Sequence, residues 1–171
     1  DYHHTMLVSD LDTNSVLHFH ANTGALLGHF VQPGAGGLNG PWGLAFGSHG
    51  DLVVASANTD RVLLFDGSSG SFKRVFCELA SPRGLTFHHG DLYVTSSRGA
   101  TVRRFNGVSG APRGVLAASG LLQNPWSIVF NANTNQSLVA SQDQHHIIVV
   151  DPPAWVLSNS KVRSASMRTV G

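Results

Sequence analysis

The sequence predicts an all-β protein made of repeated antiparallel sheets, and three observations lead to this prediction. Three stretches that begin with proline follow one pattern and start 41 and 43 residues apart, at Pro41, Pro82 and Pro125. Each stretch precedes further short apolar runs that are separated by polar turns. The 19 glycines among 171 residues suit many tight turns. A period near forty is typical of β-propellers, in which each period forms one four-stranded blade.

The second unit, residues 41–81, shows the predicted blade most clearly. Apolar and β-branched runs alternate in it with turns such as Gly47-Ser48-His49-Gly50. Four strands are predicted, the innermost first, at residues 43–46, 51–56, 61–66 and 71–76. The third unit, residues 82–124, repeats this order at residues 84–87, 91–96, 101–106 and 114–117. Four consecutive strands joined by short turns predict an antiparallel meander in each unit.

The two ends of the chain are predicted to form incomplete units. Residues 1–40 form a half-blade with strands at 6–10, 16–19 and 25–31, and its innermost strand is missing. The partial blade 125–151 ends before Pro152-Pro153, because proline interrupts a strand ladder. Residues 152–171 match no repeat position and are assigned to a C-terminal tail. A β-sandwich is the alternative fold, but it does not require a forty-residue period.

The repeat resembles the NHL family of β-propellers. The resemblance rests on the order proline–x–Gly–aliphatic–Ala–Phe, a Leu–x–Val–Ala strand, and Arg-Val followed by Phe-Asp, which residues 41–66 follow most closely. Asp10 keeps the family's usual aspartate at the end of the second strand, whereas Ser56, Ser96 and Ser141 depart from it. The resemblance implies an incomplete propeller, with three and a half to four blades of the six that are usual in the family.

Closure of such a ring can be achieved in three ways. The sequence can be part of a longer chain, a protein partner can complete the ring, or the tail can supply the missing strand of the first unit. Residues 154–171 lack the Pro-x-Gly-aliphatic pattern of an innermost strand. We therefore expect remaining blades or a protein partner to cover the open ends.

Composition narrows the classes of function. The net charge of +1 gives no case for a nucleic-acid partner. No apolar run reaches the 18 residues of a membrane span. The single cysteine, Cys77, excludes an internal disulfide and is interpreted as a buried apolar residue. The glycosylation sequon Asn135-Gln136-Ser137 favours a secreted or extracytoplasmic chain, although the compartment stays undetermined.

Candidate binding residues are predicted at one mouth of the central channel. Trp42, Arg83 and Trp126 follow the three repeat prolines, so they should converge if the innermost strands line a channel. Asn58 and Asp10 follow second strands and are expected at the same end. Stacking and cation–π contacts could hold a planar, anionic or sugar-like ligand. The alternative is that the tryptophans pack between blades and Arg83 is solvated.

Histidines are the only candidate metal ligands. His18 and His20 alternate on one predicted strand and should face the same side, which makes them weak candidates for a divalent metal. Adjacent histidines such as His88 and His89 should diverge on an extended chain. No catalytic motif is present, so no catalytic residue and no cofactor are assigned. We interpret the chain as a non-catalytic interaction or scaffold module; the alternative is a metal-dependent propeller hydrolase or lyase.

Overall fold

The computed structural model describes residues 5–118, 120, 122–143, 145–151 and 167–170. Most of these residues lie in short strands, and the 3-10 turns Ala35–Gly37 and Ala57–Thr59 connect some of them. The strands are β1 (Thr5–Asp10), β2 (Ser15–His20), β3 (Leu26–Val31), β4 (Pro41–Phe46), β5 (Leu52–Ser56), β6 (Arg61–Phe65), β7 (Phe72–Glu78), β8 (Pro82–His88), β9 (Asp91–Ser96), β10 (Thr101–Asn106), β11 (Pro112–Ala117), β12 (Pro125–Phe130), β13 (Ser137–Ser141), β14 (His146–Val150) and β15 (Met167–Val170).

The strands form four antiparallel sheets in which consecutive strands are neighbours. Sheet 1 contains β1–β3, sheet 2 contains β4–β7, sheet 3 contains β8–β11 and sheet 4 contains β12–β15. The innermost strands β4, β8 and β12 begin at Pro41, Pro82 and Pro125, which pair with Ser56, Ser96 and Ser141. The three prolines therefore occupy equivalent places, as the sequence period predicts.

Consecutive sheets pack against each other in chain order. β1 lies against β4, β4 against β8, and β8 against β12. On β5, Val54 belongs to a core shared with sheet 1, while its neighbour Val53 belongs to a core shared with sheet 3. β5 and β9 are therefore covered on both faces, and every residue of these two strands is buried. This succession of sheets is that of an incomplete β-propeller and confirms the predicted fold class.

The chain enters each innermost strand through one recurring set of contacts, here called the strand-entry contacts. Ser56 Oγ accepts the N–H of Asn39 at 3.0 Å and donates to its carbonyl at 3.1 Å. Ser141 Oγ does the same with Gln123 at 2.9 and 2.7 Å, and Ser96 Oγ donates to the Ala80 carbonyl at 2.5 Å. Each partner lies two residues before the repeat proline. The residues between, Gly40, Ser81 and Asn124, have φ values of 63, 45 and 51°.

The hairpins that follow β2, β6 and β10 also share one construction. A side-chain acceptor at the start of each hairpin accepts the backbone N–H groups two and three residues later, as an Asx turn does. The acceptors are His20 Nδ1, Asp66 Oδ1 and Asn106 Oδ1. The fifth residue is in every case a glycine with positive φ: Gly24 (69°), Gly70 (69°) and Gly110 (78°).

Sheet 4 differs from the sequence prediction. Met167–Val170 pairs antiparallel with β14 and forms the outermost strand, although these residues were assigned to a tail. The prediction missed β15 because the Pro-x-Gly pattern marks innermost strands only. An outermost strand pairs with the edge of an existing sheet and carries no such pattern. β15 joins sheet 4 and not sheet 1, so this part of the tail does not supply the missing innermost strand of sheet 1.

The two terminal sheets each present an apolar face to solvent. Met6 and Val8 of sheet 1 are exposed, and so are Val129, Leu138 and Ile147 of sheet 4. Within the described ranges, β1 pairs with β2 alone and its other edge has no partner strand. The same ranges contain no helix long and apolar enough to cross a membrane.

Candidate functional site

The structure brings Trp42, Arg83 and Trp126 together at one end of the innermost strands. The guanidinium carbon of Arg83 lies 4.4 Å from the ring centroid of Trp42 and 4.4 Å from that of Trp126. The two indole rings are 4.6 Å apart with an edge-to-face angle of 71°. The three side chains form a compact triangle, which we call the Trp–Arg–Trp cluster. We call its end of the sheets, where the repeat prolines lie, the proline end.

A shared irregularity in the strands explains why these residues converge. The pairing register is interrupted after each repeat proline, between Pro41 and Leu44 in β4 and between Pro82 and Leu85 in β8. A third interruption lies between Pro125 and Ser127 in β12. A bulge re-aims the side chain that it contains. Three equivalent bulges on three neighbouring strands therefore direct three side chains to one place.

Two glycines allow the innermost strands to approach closely beside the cluster. A Cβ atom on Gly43 would lie 2.3 Å from the Arg83 carbonyl oxygen, and one on Gly84 would lie 2.7 Å from the Trp126 carbonyl oxygen. The equivalent residue in sheet 4 is Ser127, which is exposed. The glycine of the Pro-x-Gly pattern is therefore required where another sheet packs against the strand.

The cluster contains polar hydrogens without acceptors. Arg83 Nε, Arg83 Nη1 and Trp126 Nε1 are buried and have no hydrogen-bond partner among the described residues. Burial lowers the pKa of Arg83, but a guanidinium keeps its proton at neutral pH. The two aromatic faces stabilise the cation without satisfying its N–H groups. The cluster is thus a partly buried positive charge that can still donate hydrogen bonds to an acceptor.

Asn58 lies in the 3-10 turn after β5 and Asp10 is the last residue of β1, but neither hydrogen-bonds the cluster in the described part of the chain. Asn58 Nδ2 donates to Asn39 Oδ1 at 2.9 Å and belongs to the entry into β4. Asp10 Oδ1 accepts the Asp12 N–H at 3.1 Å, and Asp10 Oδ2 accepts the Thr13 hydroxyl at 2.7 Å. The Thr13 bond is the main cause that lowers the pKa of Asp10.

His18 and His20, the two candidate metal ligands, have structural contacts. His20 Nδ1 accepts the N–H groups of Asn22 and Thr23 at 3.3 and 3.4 Å, and His18 packs edge-on against Phe30 at 5.9 Å. The residues that the structure describes contain no group of three or more His, Cys, Asp or Glu side chains that could hold a metal ion. His20 therefore stabilises the turn that follows β2 by accepting two of its backbone N–H groups. Its spacing from His18 in the sequence did not predict this role.

His88 and His89 correct one expectation. Their ring centroids are only 4.0 Å apart, because His89 has a positive φ of 48° and leaves the extended geometry in which adjacent side chains diverge. His88 also stacks on Phe130 of sheet 4 at 4.0 Å with an interplanar angle of 7°. Burial is the main cause that lowers the pKa of His88. The pair thus belongs to the contact between sheets 3 and 4.

Sequence reasoning missed the role of the serines at the ends of the second strands. Ser56, Ser96 and Ser141 were noted as departures from the family's aspartate, whereas they form the strand-entry contacts. Their signal was present, because each one ends the strand that pairs with a repeat proline. Recognising it required the pairing partner, which sequence alone does not provide.

Comparison with known proteins supports the fold. No family model and no curated protein sequence matches the chain. A crystal structure of a nidogen/laminin complex is similar with a TM-score of 0.75 and 19% identity, over 87% of this chain and 57% of that one. Hydrazine synthase from Kuenenia stuttgartiensis is similar with a TM-score of 0.74 and 15% identity, over 98% of this chain and 46% of that one.

These neighbours are propeller-type folds, and the chain spans about half the length of each, 57% and 46%. At 19% and 15% identity the likeness concerns the fold. Membership of the NHL family is therefore still a prediction from residues 41–66.

Proposed function

We propose that the chain is a non-catalytic protein-interaction module that binds a carboxylate-bearing segment of a protein partner at the proline end. The observation that carries the proposal is the Trp–Arg–Trp cluster, in which the buried Nε and Nη1 atoms of the partly buried Arg83 have no acceptor among the described residues. Burying these N–H groups without an acceptor is costly, so an incoming carboxylate would gain charge-assisted hydrogen bonds.

The geometry of the cluster suits recognition of a carboxylate. Trp42 and Trp126 contact Arg83 at 4.4 Å each, which limits its rotamers before a ligand arrives. Preorganisation of this kind reduces the entropy lost on binding. Trp and Arg are also the residue types that most often dominate the free energy of protein–protein binding. Trp126 Nε1 adds a neutral donor beside the cation.

The comparison adds a precedent of the fold in a protein assembly, because one similar structure is a nidogen/laminin complex. At 19% identity this precedent concerns the fold and names no partner for this chain.

The rival proposal, a metal-dependent hydrolase or lyase, has a separate test. Elemental analysis that finds stoichiometric zinc or calcium in the native protein would favour the rival.

The proposal is tested by titrating the protein with a hexaglutamate peptide at fixed low salt and following tryptophan fluorescence. Trp155 lies outside the described residues, so a Trp155→Phe background restricts the signal to Trp42 and Trp126. We expect Arg83→Gln to weaken binding at least about tenfold, because the loss of a hydrogen bond to a charged group typically costs about 1.5–3 kcal/mol. Arg83→Lys should recover only part of the affinity, since lysine lacks the planar fork.

The matched control is Arg61→Gln, which removes the same charge from an exposed arginine whose side chain is 46% accessible. It should change binding less than about twofold, as expected for an exposed ion pair. Equal binding by the wild type and Arg83→Gln would contradict the proposal, and so would equal losses in the Arg83 and Arg61 variants.

A further inference from the structure

We propose that Thr95 is a positioning residue of the binding site and holds Arg83 and Trp126 in the geometry that a carboxylate ligand requires. Its hydroxyl group acts through the backbone of β8 and β12, and the groups that contact the ligand are those of the Trp–Arg–Trp cluster. The inference rests on the proposed function, because it assigns the residue that keeps the cluster ready for its ligand.

Thr95 lies on β9 opposite the bulge that carries Arg83. The pairing register places two residues of β8, Arg83 and Gly84, opposite the single residue Thr95. Such an arrangement is a β-bulge, which bends the strand and interrupts its ladder of hydrogen bonds. The backbone groups of a buried bulge therefore need other partners, and the side chain that provides one also determines how the bulge is held.

The hydroxyl group of Thr95 is a partner of this kind. Thr95 Oγ1 accepts the N–H of Gly84, the residue that follows Arg83, at 2.8 Å. The same hydroxyl donates to the Trp126 carbonyl oxygen at 3.4 Å, which is a longer and weaker bond. One hydroxyl group therefore links the bulge of β8 to the bulge of β12, and each of these bulges carries one member of the cluster.

The link lies in the interior of the protein. Thr95 is 0% exposed, and β12 contacts both β8 and β9. A buried N–H group that loses its acceptor is unfavourable, so removal of the hydroxyl should shift the backbone at Gly84. Because Arg83 is the adjacent residue of the same bulge, we expect its side chain to shift as well.

Comparison of the sheets separates this role from a general role in the fold. Ala55 of β5 and Ala140 of β13 occupy the place of Thr95, since each lies one residue before the serine that pairs with a repeat proline. The register of both sheets is interrupted at the equivalent place, although alanine has no hydroxyl group. A bulge of this kind thus forms without the hydroxyl. The sheet that has the hydroxyl is the one that contributes the cation of the cluster.

The cation requires such support because its contacts with the rings do not fix its backbone. The guanidinium carbon of Arg83 lies 4.4 Å from the centroids of both indole rings, and these contacts act on the end of a long side chain. Groups that bind a ligand have to be held to within about 0.5 Å, which is achieved by packing and by hydrogen bonds behind the site. Thr95 provides these bonds at the backbone of Gly84 and of Trp126.

The test compares Thr95→Ala with Thr95→Ser in the Trp155→Phe background. Both variants lack the methyl group of Thr95, and they differ from each other only in the hydroxyl group. The matched control is Thr86→Ala, which removes a threonine hydroxyl from a half-buried position three residues along β8 from Arg83. Urea denaturation first establishes conditions in which all variants are folded, so that a change in stability is measured separately.

The first readout requires no ligand. The rings of Trp42 and Trp126 lie 4.6 Å apart at an angle of 71°, so their electronic transitions should couple and produce an exciton pair of bands in circular dichroism. Trp126→Phe identifies these bands, because it removes one of the two rings. We expect Thr95→Ala to reduce their amplitude at least about twofold, since one ring is carried by a strand that the hydroxyl holds. Thr95→Ser and Thr86→Ala should retain the amplitude.

The second readout is the affinity for the hexaglutamate peptide. We expect Thr95→Ala to weaken binding at least about fivefold, a factor that corresponds to the loss of one hydrogen bond. Thr95→Ser and Thr86→Ala should bind within about twofold of the wild type, as expected where no supporting bond is lost.

The outcomes distinguish this inference from the proposed function. The inference is overturned if Thr95→Ala keeps the full exciton amplitude, if it binds like the wild type, or if Thr95→Ser loses as much as Thr95→Ala does. If the wild type itself does not bind the peptide, the proposed function is wrong. The exciton amplitude then decides alone whether Thr95 positions the cluster.

Discussion

The absence of a side chain at Gly84 sets the distance between β8 and β12. A Cβ atom there would lie 2.7 Å from both the Trp126 carbonyl oxygen and the Ser127 Cα atom, and backbone atoms cannot move aside as a flexible side chain can. At Ser127, the equivalent position in sheet 4, a side chain is present and exposed. The second position after the repeat proline thus requires glycine in sheet 3, where another sheet packs on it, and tolerates a side chain in sheet 4.

We therefore expect Gly84→Ala to lower the free energy of unfolding by about 1–3 kcal/mol, the usual cost of overpacking. Ser127→Ala is the control and should stay within about 0.5 kcal/mol, as exposed substitutions do. Both values follow from urea denaturation monitored by circular dichroism. If the two variants are equally stable, close approach of the strands is not what requires glycine.

The thiol of Cys77 provides a second prediction at this scale. Cys77 is 7% exposed within the core between sheets 2 and 3, and burial is the main cause that raises its pKa to about 12. Because the thiolate is the reactive form, the native protein should react with a thiol reagent at pH 8 at least about a hundredfold more slowly than the unfolded protein. Since the chain has one cysteine, absorbance of the released thiolate reports this site alone. Rapid stoichiometric reaction in native buffer would contradict the burial.

Among the elements, the hairpins show how one turn can be built from different side chains. Asp66 and Asn106 accept backbone N–H groups through oxygen at 2.8 to 3.0 Å, whereas His20 uses a ring nitrogen at 3.3 and 3.4 Å. The bonds to oxygen lie within the usual range of N–H···O distances, whereas the bonds to the ring nitrogen are longer. The histidine is the weakest of the three acceptors by this measure.

A reciprocal exchange tests this interpretation. His20→Asn should raise the free energy of unfolding by about 0.5 kcal/mol or more, within the range of turn-optimising substitutions. Asn106→His, the same exchange in the opposite direction, should lower it by a similar amount. Thermal denaturation of both variants at pH 8 measures the effect. Changes of the same sign in both variants would show that the acceptor does not determine the stability of the turn.

The elements also show how far the sequence could predict the structure. The repeated prolines located β4, β8 and β12, and the short apolar runs Leu52–Ala55 and Leu92–Val94 located β5 and β9. β15 carries no such signal, since an outer strand is defined by the edge it joins. The convergence of Trp42, Arg83 and Trp126 could be predicted from their equivalent positions after the repeat prolines. The lack of acceptors for their N–H groups could not, because it depends on the distances between sheets.

On the scale of the whole molecule, the sheets form a linear succession in which each packs mainly against its neighbours in the chain. Sheets 2 and 3 are covered on both faces, and their second strands β5 and β9 are buried throughout. Among the residues that the structure describes, sheets 1 and 4 are covered on one face, and β1 and β13 contain exposed residues. In such an array the free energy of unfolding is approximately the sum of contributions from each unit and from each interface between units. The terminal sheets have fewer interfaces and should therefore be less stable than the middle sheets.

Native-state hydrogen exchange should therefore be graded along the chain. Opening a terminal sheet breaks one interface between sheets, whereas opening a middle sheet breaks two, so amides of β5 and β9 should exchange at least about tenfold more slowly than those of β1 and β13. Peptide-resolved mass spectrometry measures these rates, and comparison within each sheet separates local fraying from opening of the sheet. Equal opening free energies in all four strands would mean that the array unfolds as one cooperative unit.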